Sequence, residues 1–233
     1  MLASAHKKLM ALTAKKQIDL YFDILPSETR RALDYLSLNK WLRESRWYLA
    51  GGTALALQTG NRKSIDLDFF TEDKEFNVKK LIASFVGESD WRVIVEENNT
   101  IYGELFRAKV SFIAYPFFVP KQKPIFYGTV RILSPLDIAV MKIIAVSQRG
   151  RKRDFFDLYW CAHNLEPLEK TIKRLKIQYP TVAHNYHHIL KALVYFADAE
   201  SDPEPVIYFD ANWKQVRKFF AKEIPVIADK VMR

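Results

Sequence analysis

Residues Trp47 to Thr71 read WYLAGGTALALQTGNRKSIDLDFFT, and the rest of the chain is most easily placed by starting from them. A short apolar run, Trp47 to Ala50, breaks at Gly51-Gly52. A helix-compatible segment, Thr53 to Thr59, follows and stops at the turn Gly60-Asn61. The stretch closes on Ile65-Asp66-Leu67-Asp68-Phe69-Phe70, which alternates apolar and acidic residues up to Phe69. Side chains along a strand point to opposite faces in turn, so Ile65, Leu67 and Phe69 are expected in a core. Asp66 and Asp68 then project together from the other face. Two neighbouring carboxylates repel unless a cation lies between them. Hard oxygen ligands of this kind suit Mg²⁺, which binds through one or two carboxylates plus substrate phosphates. Asp66 and Asp68 are therefore the expected metal ligands.

The upstream half predicts an anion site. A strand that breaks at Gly51-Gly52 and turns into a helix presents free backbone N–H groups at the positive end of the helix dipole. Glycine lets a phosphate approach the backbone, and the Thr53 hydroxyl can cap the helix or touch the anion. A phosphate cradle and a metal-binding carboxylate pair, joined by one short helix, form a nucleoside triphosphate (NTP) site. Arg62 is expected to pair with a phosphate or a carboxylate. Ser64 lies two residues before Asp66 on the same strand face. Its hydroxyl either orients an aspartate or a phosphate oxygen, or itself accepts a phosphoryl or nucleotidyl group.

These residues carry a resemblance. GGT, twelve intervening residues and then D-x-D on an apolar strand resembles the signature of the nucleotidyltransferase superfamily. The longer pattern LAGGTALAL…R-x-S-x-D-L-D-F-F is similar to one branch of it, the AbiEii/AbiGii-type toxins of bacterial toxin–antitoxin and phage-defence systems. The resemblance implies Mg²⁺-dependent transfer of a nucleotide from an NTP to an acceptor such as tRNA. It also implies a separately encoded antitoxin as a partner.

Composition is compatible with that reading. With 49% hydrophobic and 27% charged residues, the 233-residue chain describes an ordinary folded protein of one or two domains. Cys161 is its single cysteine, which excludes disulfides within the chain and cysteine-based zinc sites and points to a reducing compartment. No signal-peptide pattern and no run near the roughly 20 apolar residues of a membrane span is visible. A cytoplasmic protein without membrane contact is the expectation. The net charge of +9 favours polyanionic partners such as RNA, DNA or nucleotides.

Outside the central stretch, residues 5–46 read as helical with a break at Pro26-Ser27, and 77–86 as a helix capped by Asn77. Three strands follow, at 91–96, 100–106 and 108–115, rich in β-branched and aromatic residues. With 47–50 and 65–70 they make a mixed sheet of about five strands. Many nucleotidyltransferases carry a third acid on a later strand; here Ser111 stands at the matching position, with Glu104 as a possible substitute. Loss of that carboxylate leaves open one-metal catalysis or a site that binds nucleotide without turnover. The aromatic loop Tyr115 to Phe118 is expected to pack, with base stacking as the alternative.

From Ser134-Pro135-Leu136-Asp137 a helix is predicted to run to Ser147, with Asp137 in a capping role. Lys142 interrupts this apolar helix and either snorkels or aims its charge at a triphosphate. Residues 148–153 hold four cations, Arg153 the last, and are expected to contact phosphates. Asp154 and Asp157 share a helix face beyond them, either as helix-start acids or as functional groups. The family resemblance favours function here. It makes Lys142 a catalytic cation, and Asp154 a general base or further metal ligand, with Asp157 second. Helices at 167–178, 182–196 and 211–231 complete the chain, and His184, His187 and His188 read as polar or RNA-facing surface.

The expected architecture is α/β (α+β): a nucleotidyltransferase-like mixed sheet with flanking helices over residues 1–130, and a C-terminal helical domain over 131–233. The expected catalytic residues are Asp66, Asp68, Lys142 and Asp154. The expected nucleotide-binding residues are Gly51, Gly52, Thr53, Arg62, Ser64 and Arg153. Two other readings stand beside transfer to RNA: phosphoryl transfer to protein, including self-modification at Ser64, and a catalytically silent nucleotide- or RNA-binding module.

Overall fold

The computed structural model describes residues 19–97 and 99–231, so the part of the expected N-terminal helix before residue 19 lies outside the described residues. Two helices, α1 (Ser27–Ser37) and α2 (Lys40–Glu44), lead into β1 (Tyr48–Ala50), whose side chains are all buried. The chain passes without a loop into α3 (Gly51–Thr59). Gly60 closes that helix in the left-handed region, φ +64, where glycine carries no Cβ penalty. β2 (Leu67–Thr71) follows, burying Leu67 and Phe69 completely while Asp68 and Phe70 face the other way.

Ile65 corrects the expected alternation. Its side chain is 49% exposed, because the strand begins only at Leu67; its carbonyl accepts a hydrogen bond from the Thr29 hydroxyl of α1. The face-switching rule applies inside a ladder, and Ile65 precedes it.

Helix α4 (Val78–Ala83) starts at Asn77, whose side chain accepts from the Lys80 backbone N–H at 2.9 Å. The strands β3 (Trp91–Glu97), β4 (Thr100–Leu105) and β5 (Ala108–Ala114) form an antiparallel meander. The sheet has seven strands among the described residues, not five. A hairpin of β6 (Ile125–Tyr127) and β7 (Val130–Ile132), turning at Gly128, extends it beyond β1. Strands of three residues are too short to show a period, which is why the sequence pattern did not mark them. The order is β3-β4-β5-β2-β1-β7-β6, mixed in direction: β2 runs parallel to β5 and antiparallel to β1, and β1 runs parallel to β7.

The position 130/131, expected to separate two domains, lies inside β7, and Leu133 continues the ladder by donating its N–H to the Leu49 carbonyl. The long helix α5 (Pro135–Arg149) follows at once. Ser134 caps it by accepting from the Asp137 N–H. Asp137 does not cap its own helix. Its buried carboxylate accepts from the backbone N–H of Lys121 and Gln122 and from the Gln178 amide, fixing the segment that follows the aromatic loop against α5. The aromatic loop packs as expected: Phe118 is fully buried and Tyr115 is half-buried, while Phe117 is exposed. Around α5 are α6 (Lys152–Asn164), α7 (Leu168–Gln178) and α8 (Tyr186–Ala192), followed by the single turn α9 (Ala197–Glu200) and α10 (Trp213–Val231). α5 also packs on α3, so the helical half covers the sheet at the Gly51 end. The loop before α10 returns to the central motif, where Lys63 N–H donates to Val206 and Tyr208 N–H to Asn61.

Candidate active site

Strand register brings the glycine turn and the acids together. Ala50 of β1 pairs with Asp68 of β2, so the next residue, Gly51, stands beside the Asp68 carboxylate. Gly51 has φ +71, and a Cβ there would come within 2.8 Å of Asp68 Oδ2. Glycine is demanded twice at this position, by backbone and by space. A Cβ on Gly52 would meet the Arg62 guanidinium at 2.3 Å and the Ser64 hydroxyl at 3.1 Å, so Arg62 and Ser64 wall the other side of the turn.

An open cleft of about 640 Å³ runs over this face of the sheet. Gly51, Gly52, Arg62, Ser64, Asp66, Asp68, Lys142 and Arg153 all line it. Asp68 donates nothing and accepts the Ser111 hydroxyl on Oδ1 at 2.7 Å, since Ser111 is its register partner on β5. Burial, reinforced by the neighbouring Asp66 charge, raises the Asp68 carboxyl above the ordinary carboxylate range, against the Ser111 hydroxyl, Lys142 and Arg153. Asp66 is more open, with the Arg153 guanidinium 3.7 Å from its carboxylate. The donor set suits a hard divalent cation: paired carboxylates facing open space, one destabilised as an anion by burial and by its partner. No group of three or more His, Cys, Asp or Glu able to hold a metal occurs among the described residues, so such an ion would rest on two carboxylates.

Two of the expected residues turn inward instead. Thr53 is buried, its hydroxyl donating to the Asp66 carbonyl and lying 3.0 Å from Ser64 Oγ. It neither caps α3 nor lines the cleft, and it ties the helix to the approach of the acidic strand. Asp154 is fully buried behind Lys142 and does not line the cleft either. Lys142 is ion-paired with both Asp154 and Asp157, the latter at 2.9 Å. Burial opposes its charge, yet Asp154 and Asp157 hold its ammonium above the ordinary lysine range.

Asp157 is the hub of this network. It accepts from Arg62 Nε at 2.8 Å and Nη2 at 2.9 Å, and from the Asn61 amide at 2.9 Å, besides the Lys142 pair. Although burial opposes ionisation, Arg62 and Lys142 hold its carboxyl far below the usual range. Arg62 spends its third nitrogen on the Lys63 carbonyl, so of the two partners expected for it, a carboxylate is the one it has. Lys142 and Arg62 thus reach the cleft as cations fixed from behind, and Arg149 and Arg153 reach it from the helix ends. Glu104 pairs with Arg92 at 3.1 Å and stands opposite Lys109, away from the acids. Tyr102, Lys109 and Gln148, not singled out in the sequence, also line the cleft.

Residues 38–231 match the family described as nucleotidyl transferase AbiEii toxin, type IV TA system. The chain belongs to the AbiEii nucleotidyltransferase toxin family. It is a nucleotidyltransferase by that membership, and the expected superfamily fold follows from it. An uncharacterized protein of Aquifex aeolicus (strain VF5) is 34% identical over 187 residues, covering 76% of this chain and 86% of that protein. Among solved structures, a protein of H. pylori assigned to the nucleotidyltransferases covers 87% of this AbiEii-family chain and 96% of its own, at 18% identity and a TM-score of 0.49. The nucleotidyltransferase toxin MenT4 of Mycobacterium tuberculosis H37Rv covers 87% of this chain and 89% of its own, at 17% identity and a TM-score of 0.47. Among the described residues, no helix is long and apolar enough to cross a membrane.

Proposed function

We propose that this family member transfers a nucleotide from an NTP to an RNA hydroxyl, with tRNA as the acceptor class, in a Mg²⁺-dependent reaction. The observation that carries the reading is the Gly51–Gly52 turn touching the Asp68 carboxylate inside one cation-lined cleft. Asp66 and Asp68 are the residues that would hold the ion, which when bound neutralises triphosphate charge and stabilises the charge that develops during transfer. The glycine turn lines the cleft at the start of α3, where the positive end of the helix favours the β- and γ-phosphates. Lys142 and Arg153 add positive charge around them, Lys142 fixed in place by Asp154 and Asp157. Asp154, lying behind Lys142, serves this reading as the group that positions the lysine. Catalysis of this kind rests on orientation and preorganised charge.

The acceptor oxygen forms its bond to the α-phosphorus while the bond from that phosphorus to the bridging oxygen of the β-phosphate breaks. Pyrophosphate leaves, and the hydroxyl proton passes to solvent in the open cleft. Ser64, on the cleft wall beside Gly52, supports a second reading in which the protein itself is the acceptor. In the cell the reading implies a cytoplasmic growth-inhibiting toxin held in check by a separately encoded antitoxin.

Incubation with total RNA and α- or γ-labelled NTPs tests these readings together. Transfer of the α-label to RNA is the expected result. A γ-label on the protein supports the Ser64 reading. Nucleotide binding with no transfer under any divalent cation leaves a silent binding module and removes the proposal.

A further inference from the structure

The Asp68 row of the sheet continues past the acids. Asp68 on β2 pairs with Ser111 on β5, and Ser111 pairs with Tyr102 on β4, so these three side chains lie in line across one face. Gly51 lies on the opposite side of Asp68, just past the end of β1, whose last residue Ala50 is the register partner of Asp68. The two carboxylate oxygens divide in the same sense, Oδ2 facing Gly51 and Oδ1 receiving the Ser111 hydroxyl.

In-line displacement at phosphorus sets the entering and leaving oxygens on opposite sides of the transferred group. With the leaving pyrophosphate on the glycine side, the entering hydroxyl comes from the Ser111 side. What stands there is an exposed aromatic ring: Tyr102 is 43% exposed and lines the cleft. Two strand spacings put it about 10 Å from Asp68, about the length from the 3′-hydroxyl of a terminal nucleotide to the far edge of its base. Beside it, the β3–β4 ladder carries a bulge: Val93 faces Gly103 and Val95 faces Tyr102, which leaves Ile94 as the extra residue. Bulges re-aim side chains; Ile94, 52% exposed, is another lining residue of the cleft. Lys109, diagonal to Tyr102 on the same face, supplies a cation at the edge. A flat ring, an apolar flank and a nearby ammonium are the components with which proteins hold a single-stranded nucleotide: base on ring, phosphate on cation. An exposed ring next to a cation suits a base and its phosphate together, which favours a nucleic-acid acceptor over a protein one.

We infer that Tyr102, flanked by Ile94 and Lys109, is the seat on which the terminal base of a single-stranded RNA acceptor stacks, so that its hydroxyl enters on the Ser111 side of Asp68. This rests on the reading of the cleft as a nucleotidyl-transfer site, and Tyr102 acts in it as a positioning residue.

The test compares wild type, Tyr102→Ala, Tyr102→Phe and Tyr102→Trp with total tRNA as acceptor. Tyr102→Ala is expected to raise KM for tRNA on the order of tenfold or more, with KM for the NTP unchanged. The Phe and Trp variants keep the wild-type acceptor KM because stacking needs only the ring. An unchanged tRNA KM in Tyr102→Ala overturns the inference, and so does a rise confined to the NTP, which would make this the donor's base seat. Circular dichroism melting of each variant separates misfolding from lost stacking. Fluorescence anisotropy with a short 5′-labelled single-stranded RNA reads the seat without turnover. If wild type binds this RNA and Tyr102→Ala loses it while no transfer is seen at all, the seat stands and the reaction reading falls.

Discussion

At the scale of single residues, the site combines groups that face the cleft with groups that hold them. Asp66 and Asp68 belong to the first kind. Asp66→Ala with Asp68→Ala is expected to abolish Mg²⁺-dependent transfer while leaving the melting temperature near that of wild type; a double variant with full activity in the labelling assay would remove the proposed mechanism. Asp157 belongs to the second kind. Asp157→Ala strands Arg62 as a buried cation without its carboxylate and leaves Lys142 with Asp154 alone, which is expected to cost about 3–5 kcal/mol in urea unfolding. The same residue sets a pH dependence. Its carboxyl is held below its unfolded value by Arg62 and Lys142, so its contribution is present at neutral pH and is lost as pH falls past the ordinary aspartate range, about 3.9. Asp157→Asn should therefore lower stability at pH 7 and flatten the fall in stability on acidification. A wild-type acid slope retained in that variant would contradict the assignment.

At the scale of elements, helix α6 shows how one segment serves both the cleft and the core. Its first turns present Asp154 and Asp157 to Lys142, and the next turn buries Cys161. Burial pushes the Cys161 thiol well above its ordinary value, so no reactive thiolate forms near neutral pH. The native protein is expected not to react with a thiol reagent such as DTNB, and to react at Cys161 once unfolded in urea. Rapid native labelling would mean that α6 opens locally. The β6–β7 hairpin is held differently. Gly128 has φ +57, and a Cβ there would lie 2.2 Å from the Ser37 carbonyl of α1. Backbone cannot yield as a flexible side chain does, so Gly128→Ala should destabilise the fold by at least the strain of a left-handed residue, roughly 1–3 kcal/mol, measured by denaturant unfolding. Because this hairpin is remote from the acids, activity per folded molecule should not change.

At the scale of the whole molecule, the sheet and the helical half depend on each other through the site. Arg62 comes from the α3–β2 connection and Asp157 from α6, and their buried ion pair joins the two halves. A fragment ending at residue 133 would expose the Arg62 environment and the face of α3 that α5 covers, and is expected not to give a dispersed NMR spectrum on its own. The net charge of +9 acts at this scale too. RNA affinity should fall linearly in a log–log plot against salt, and Arg149→Ala or Arg153→Ala should each make the slope shallower by roughly one. A slope unchanged in both would place the RNA elsewhere on the surface.

From residue order alone come the glycine turn, the acidic alternation, Lys142 and the Asp154–Asp157 face, because each is a local pattern whose period or backbone demand is written in a few consecutive residues. The family follows from the same short runs. Two other features were beyond such reading: which of these side chains reach open space, and which are partners buried behind them. Thr53 and Asp154 turn inward, and Asp157 becomes the hub, because α5 folds back onto α3 from far along the chain and brings α6 with it. The alignment of Asp68, Ser111 and Tyr102 likewise exists only through strand register. Register depends on pairing between distant segments, and the sum of that pairing and packing, not any local propensity, selects it.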